Sequence, residues 1–268
     1  MSRLPSLFVS HGAPTFAIEP GLAGPKLTAL GQALPRPRAV LVVSPHWMTP
    51  NPRVGLASRP QTIHDFGGFD PSLYKIVYPV DGHPELAQRA LDVLGDAGWA
   101  PQADERRGLD HGAWVPLRHL YPAADVPAFQ VSLPSRLDSD GAWALGAALA
   151  PLAEEGVLIV GSGSLTHNLG EFRLGPSRPQ AYAAEFAAWV RDAVVRGDSA
   201  RLRQTLAQAP HASRAHPTTE HFLPLLVAAG AAASALPATV IEGGIVHGVL
   251  SMDDYLFGCS EPLTTDAI

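Results

Sequence analysis

The chain has 268 residues and a mass of 28.2 kDa, enough to bury a large core. Its net charge of −6 provides no basic surface for nucleic acid, and its 46% hydrophobic content excludes a disordered protein. A single cysteine excludes both an intramolecular disulfide and a Cys-x-x-Cys zinc or redox motif.

The sequence shows neither a secretory signal nor an apolar segment strong enough to span a membrane. We therefore expect a cytoplasmic protein without nucleic-acid or membrane partners, present as a monomer or a homodimer.

Two short apolar runs near the start of the chain predict buried strands, at residues 4–9 and 39–43. A histidine follows each run, His11 after the first and His46 after the second. The proline-rich stretch 50–60 that comes next predicts a surface loop.

Helix and strand patterns alternate through the rest of the chain. Helical spacing of apolar residues occurs at 84–95, 141–155, 180–196, 199–207 and 219–229, and further strands are predicted at 126–131, 157–160 and 238–242. Apolar strands without polar alternation are buried on both sides. We therefore predict a single α/β domain over residues 1–268, with a mostly parallel central β-sheet flanked by helices on both faces.

Three histidines share one position relative to the predicted strands. His11, His46 and His167 each come shortly after a strand, and ligands of open α/β sheets bind where the carboxyl ends of strands meet. One such histidine alone is better explained as a hydrogen-bonded loop residue, but the shared position favours a site. Imidazole suits iron, zinc, copper or nickel, so a catalytic metal ion is a reasonable expectation.

The glycine-rich run 161–164 has two other interpretations. No Gly-Lys-Ser/Thr follows it, and Thr166 stands where a dinucleotide fingerprint needs its last glycine, so neither nucleotide-binding motif is met. Gly-x-Ser-x-Gly does not occur in register either, which leaves a serine hydrolase as a weak alternative.

Five motifs, taken together and in this order, resemble the DOPA-type extradiol dioxygenases, relatives of the catalytic subunit of protocatechuate 4,5-dioxygenase. They are Ser10-His11-Gly12-Ala13-Pro14, Ser44-Pro45-His46-Trp47, Gly108-Leu109-Asp110-His111-Gly112, Gly161-Ser162-Gly163-Ser164-Leu165-Thr166-His167-Asn168-Leu169 and Glu220-His221-Phe222-Leu223-Pro224-Leu225. Supporting matches are His64-Asp65-Phe66-Gly67-Gly68-Phe69, as a candidate pocket segment, and Ser251-Met252-Asp253-Asp254-Tyr255.

The resemblance implies a metal ion held by His11, His46 and His221. It implies that His167 is the acid/base residue and that His111 hydrogen-bonds the substrate or dioxygen. From the residues alone either Glu220 or His221 can be the third ligand, because neighbours on a helix point about 100° apart and only one faces the metal. The family pattern selects His221.

The implied activity is ring opening of a DOPA-like catechol with O2, using Fe(II), with Zn(II) possible in its place. Two alternatives keep the same site: a zinc-dependent hydrolase, in which His167 can become a fourth ligand, and a non-catalytic binding protein. His64 and His83 are candidates for the pocket. Surface or structural roles are expected for the remaining histidines, His119, His211, His216 and His247.

Overall fold

The structure is a computed structural model, and it describes residues 3–175, 177–232 and 237–259. Its strands are β1 (Ser6–Ser10), β2 (Ala39–Thr49), β3 (Arg53–Gly55), β4 (Gln102–Asp104), β5 (Ala128–Pro134), β6 (Val157–Gly163), β7 (Thr239–Ile241), β8 (Ile245–Val246), β9 (Leu250–Ser251) and β10 (Asp254–Phe257). Its α-helices are α1 (Ala23–Ala33), α2 (Pro84–Asp96), α3 (His111–Leu120), α4 (Ser139–Leu149), α5 (Ala181–Val195), α6 (Ser199–Arg203), α7 (Thr205–Gln208), α8 (Ala212–Ala215) and α9 (Leu223–Ala231). Short 3-10 helices lie at Pro14–Ala17, Leu73–Lys75 and Ala150–Ala153.

Eight strands form one sheet in the order β4-β3-β5-β2-β6-β1-β10-β7, and β8 pairs with β9 in a separate hairpin. The central strands β5, β2, β6 and β1 are parallel to one another, and β3 is parallel to β4. The pairings β3 with β5, β1 with β10 and β10 with β7 are antiparallel. The prediction of a mostly parallel sheet is confirmed, and the antiparallel pairings lie to either side of the parallel centre.

Side chains of the central strands alternate between two buried layers. Along β2, Leu41 and Val43 belong to the layer that includes residues of α2, α4, α5 and α9, whereas Val40 and Val42 belong to the layer with α1 and α3. Burial on both faces explains why this strand is apolar without interruption. The expected helices on both faces are therefore present, and each face has its own core.

Helix α9 packs unusually close to β6, and two glycines of that strand permit it. A Cβ at Gly161 would overlap the backbone oxygen of Pro224, and a Cβ at Gly163 would overlap that of His221. The glycines of the 161–164 run thus serve a close approach of backbones. That approach brings the start of α9 against the end of a central strand.

Several boundaries differ from the sequence predictions. Residues 53–55 form β3 inside the stretch predicted as a loop, and α1 was not predicted. The helix predicted at 141–155 changes to a 3-10 turn at Ala150, where Pro151 lacks an N–H for α-helical bonding, and the helix predicted at 199–207 is divided into α6 and α7. Helix α9 begins at Leu223 rather than 219, with Pro224 in its first turn.

None of the helices in the described ranges has the length and apolar character needed to cross a membrane.

Candidate metal centre

Two of the predicted histidines come from β1 and β2, parallel strands that lie on either side of β6. His11 directly follows β1, and its backbone N–H donates to the oxygen of Gly163 at 2.9 Å. His46 lies in the last part of β2, inside the interruption of the regular pairing with β5 between Ser44 and Met48. The strand ends therefore converge as the sequence predicted.

His221 reaches the same edge from a helix. It lies two residues before α9, and its backbone oxygen accepts a hydrogen bond of 2.9 Å from the N–H of Ser164, just after β6. His167 follows β6 by four residues and stacks on the ring of His221. The last member of the cluster, His111, is the first residue of α3.

The imidazole rings of His11, His46 and His221 meet at one point. Nε2 of His11 lies 3.2 Å from Nε2 of His46, and the His221 ring centroid is 5.5 and 5.1 Å from those of His11 and His46. One potential ligand atom from each lies within 4.8 Å of the other two. This spacing lets three nitrogens share one metal ion of the first transition row.

Two overlapping groups meet the same distance criterion: His46 with Asp65 and His111, and His167 with Glu220 and His221. The structure therefore brings together the five histidines to which the family resemblance assigned a role, with two carboxylates beside them.

Each of the three converging histidines has a partner at Nδ1. Ser162 Oγ lies 3.0 Å from Nδ1 of His11 and donates its own proton to the carbonyl of Gly112, so it must accept from the imidazole. Asp65 lies 3.4 Å from Nδ1 of His46, and Glu220 lies 3.2 Å from Nδ1 of His221. An ionised carboxylate only accepts hydrogen bonds, so Nδ1 of His221 carries the proton and its Nε2 keeps the lone pair, and the carboxylate beside Nδ1 of His46 favours the same tautomer there.

Burial keeps these imidazoles neutral. Desolvation and the neighbouring histidines lower the pKa of His11 well below its usual value, and desolvation is also the main cause that lowers the pKa of His46 to about 4 and of His221 to about 3. A neutral imidazole is the form that binds a metal ion.

The adjacent carboxyl groups stay ionised. Hydrogen bonding by His221 is the main cause that lowers the pKa of Glu220 to about 2. Burial opposes ionisation of Asp65, yet hydrogen bonds from His111 lower its pKa to about 2 as well. Neutral nitrogen ligands with two nearby negative charges fit a divalent cation.

A cavity of about 400 Å3 opens onto the histidines, which line it together with Asp65. Its apolar wall is formed by the side chains of Phe66, Phe69, Leu169, Phe172 and Leu250. The volume lies within the usual range for small-molecule sites. A second cavity of about 550 Å3 beside α5 contains none of the clustered histidines.

Other histidines have structural contacts. His83 caps α2 by accepting from the N–H of Leu86, and His64 bonds the carbonyl of Ile76; neither lines the cavity for which the sequence made them candidates. His216 is buried and bonds the carbonyl of Leu165, as expected of a structural residue.

Asp110, which accompanies His111 in its motif, also proves to be structural. Its carboxylate caps α3 at the N–H of Ala113 and accepts from Arg107 and Gln130. Two contacts to the cluster went unnoticed in the sequence, those of Ser162 and Asp65. The sequence did contain an indication for Asp65, because this residue lies in the 64–69 segment that resembles the dioxygenase family.

The fold and the site together define an α/β protein with a cluster of imidazoles able to hold a metal ion at the carboxyl edge of its sheet. Comparison with protein families identifies the family: residues 23–255 match the family described as the catalytic LigB subunit of aromatic ring-opening dioxygenase. The chain therefore belongs to this metal-dependent dioxygenase family, and the predicted class of enzyme, an extradiol ring-cleaving dioxygenase, is confirmed.

Characterised relatives match over nearly the whole chain. A 4,5-DOPA dioxygenase extradiol of Beta vulgaris is 41% identical over 94% of this chain and 96% of its own length. A protein of the same name from Escherichia coli K12 is 37% identical over 94% of this chain and 93% of its own length. The crystal structure of an uncharacterised Escherichia coli K12 protein superposes with a TM-score of 0.78 at 32% identity, covering 96% of this chain and all 100% of that one.

Proposed function

We propose that the protein opens the ring of a DOPA-like catechol with O2, at an Fe(II) ion held by Nε2 of His11, His46 and His221. The observation that carries this proposal is the convergence of one ligand atom from each of three imidazoles, each of which has an oxygen acceptor within 3.4 Å of Nδ1 that favours Nε2 as the metal-binding atom. The names of the DOPA dioxygenase relatives support the substrate class. We further propose that residues 1–268 act as one catalytic domain.

The metal ion, when bound, supplies a Lewis acid for the two vicinal hydroxyls of the catechol and a path for electrons to dioxygen. Every remaining task falls to the protein. The aromatic side chains of Phe66, Phe69 and Phe172 line the cavity, where they hold the catechol ring and exclude water.

His167 is the proposed acid/base residue. Burial is the main cause that lowers its pKa, so the imidazole is neutral and able to accept a proton from a catechol hydroxyl near pH 7. Its ring is parallel to that of His221. Because a nitrogen lone pair lies in the plane of its own ring, two stacked imidazoles do not direct their lone pairs at one ion. This arrangement supports a role for His167 outside the ligand set.

His111 is the proposed hydrogen-bonding partner of the substrate or of dioxygen. Its Nδ1 donates to Asp65 at 3.0 Å, which leaves Nε2 as the free nitrogen. His111 lines the cavity and lies beside His46, with ring centroids 4.0 Å apart. It is therefore close enough to the ligand set to contact what binds there.

The test is oxygen uptake by protein loaded anaerobically with Fe(II) and given a panel of catechols that includes DOPA. Zinc-loaded protein is the control, because zinc supplies the Lewis acid without redox chemistry. We expect iron-dependent uptake with formation of a yellow, ring-opened product. No uptake by fully loaded protein across the panel would refute the proposed activity and favour a hydrolase or a binding protein.

A further inference from the structure

The carboxylate of Asp65 lies between two histidines with different proposed tasks. Its Oδ1 accepts from both the backbone N–H of His111 at 2.9 Å and the ring Nδ1 of His111 at 3.0 Å. Its Oδ2 lies 3.4 Å from Nδ1 of His46. One carboxyl group therefore contacts a proposed metal ligand with one oxygen and a proposed substrate-facing residue with the other.

We propose that Asp65 is a positioning residue that fixes the orientation and tautomer of His46 and His111 together. The inference rests on the proposed function for the task of His111. The two oxygens of Asp65 respectively accept from Nδ1 of His111 and lie 3.4 Å from Nδ1 of His46, so both rings are favoured in the tautomer that carries the proton on Nδ1. Both Nε2 lone pairs then face inward, and the two rings keep a fixed relation to each other.

Hydrogen bonds to residues before and within α3 anchor the segment that carries Asp65. The N–H of Ile63 donates to the carbonyl of Leu109 at 2.8 Å, and the indole N–H of Trp114 donates to the carbonyl of Ile63 at 3.0 Å. The segment before Asp65 is thus tied to both the residues preceding α3 and the helix itself. The chain is therefore anchored two residues before Asp65, and the carboxylate itself is held by the N–H groups of His111.

Asp65 differs in this respect from the groups that orient the other two candidate ligands. Ser162 contacts only the ring of His11, and Glu220 hydrogen-bonds only the ring of His221, among the ring contacts that the described residues make. Glu220 therefore provides a matched comparison: it is also an ionised carboxylate at Nδ1 of a candidate ligand, without a contact to His111.

The first measurement is Zn(II) affinity, by chelator competition, for the wild type, Asp65→Asn and Glu220→Gln. An outer-shell carboxylate is worth about 10–100-fold in metal affinity, so both variants should bind zinc more weakly by about that factor. Thermal unfolding of the metal-free proteins shows whether the variants remain folded. Wild-type zinc affinity in folded Asp65→Asn would overturn the proposal.

The second measurement is oxygen uptake per bound iron in a cycle of Asp65→Asn, His111→Gln and the double variant. If Asp65 acts on turnover partly through His111, the asparagine substitution lowers uptake more in the wild-type background than once His111 is glutamine, where only its effect through His46 remains. Glu220→Gln should show no such dependence on His111. Equal, additive losses in both backgrounds would overturn the proposal.

The two measurements separate this inference from the proposed function. Zinc affinity does not depend on ring cleavage. If the wild type consumes no oxygen with any catechol, the proposed function fails, while weaker zinc binding by Asp65→Asn still supports its role at His46.

Discussion

The ring of His167 lies on the ring of His221 with centroids 3.6 Å apart and planes 7° from parallel. This stack places the proposed acid/base residue against a proposed metal ligand. Because the two rings are nearly parallel, their nitrogen lone pairs lie in separate planes and do not point at one ion. Substitutions at the two positions should therefore have different consequences.

Alanine at His11, His46 or His221 should each abolish retention of iron, because each removes one of three converging nitrogens. Alanine at His167 should leave the iron content unchanged and lower turnover by about 10²–10⁴-fold, the usual contribution of a general acid/base. Elemental analysis after gel filtration, together with oxygen uptake per bound iron, measures both effects. Loss of iron from His167→Ala would instead identify it as a fourth ligand.

Alanine at Gly163 should displace the start of α9, because the added Cβ would overlap the backbone oxygen of His221. We expect a loss of stability on the order of 1–3 kcal/mol and weaker metal binding, measured by urea unfolding and chelator competition. Gly95→Ala in α2 is the control, since its Cβ would meet open space and should be neutral or stabilising by up to about 1 kcal/mol. Unchanged metal affinity in Gly163→Ala would show that α9 does not set the position of His221.

Alanine at Asp110 should destabilise the protein by on the order of 3 kcal/mol, because the buried carboxylate caps α3 and pairs with Arg107 at 2.7 Å. Asp138 caps α4 through the N–H of Gly141 and has no ion pair among the described contacts, so Asp138→Ala should cost about 1 kcal/mol. Denaturant unfolding compares the two. Equal losses would show that the pair with Arg107 contributes little beyond the cap.

Acid should destabilise the protein partly through His216. Burial is the main cause that lowers the pKa of this imidazole to about 4, against 6.5 when it is exposed. Between these values the unfolded chain binds more protons than the folded one, so stability falls as the pH drops from about 6.5 to about 4, by up to about 3 kcal/mol from this residue. Glutamine at 216, which does not titrate, should make the free energy of unfolding less dependent on pH over this range.

The measurement for His216→Gln is urea unfolding of metal-free protein at several pH values, since bound metal would add a pH dependence of its own. A variant with the full wild-type slope between pH 6.5 and pH 4 would contradict the assignment to His216.

The sequence located His11 and His46 because each follows an apolar strand and parallel strands end at a common edge. It could not place His221 without the family pattern, since that position depends on the backbone contact between Gly163 and α9, which is a tertiary feature. Asp65 reaches the cluster through the pairing of Ile63 with Leu109, and no local periodicity records such a contact.

Helix α1 was not predicted because its glycines weaken the helical pattern of its sequence. Its buried residues Leu27 and Leu30 have helical spacing, but Gly24 and Gly31 weaken the pattern, because glycine is a poor helix former. The structure gives Gly31 a purpose: a Cβ there would overlap the backbone oxygen of Leu120 in α3. Glycine in this helix permits contact between two helices.

The candidate ligands are widely separated along the chain, and the sheet joins its two ends. Strand β1, which delivers His11, pairs with β6 on one side and with β10, near the end of the described chain, on the other. The N–H of Ser10 is bonded to the carboxylate of Asp254 at 2.8 Å. A chain emerging from the ribosome therefore exposes its first two candidate ligands long before the third is synthesised, and the complete three-histidine cluster can form only late in synthesis.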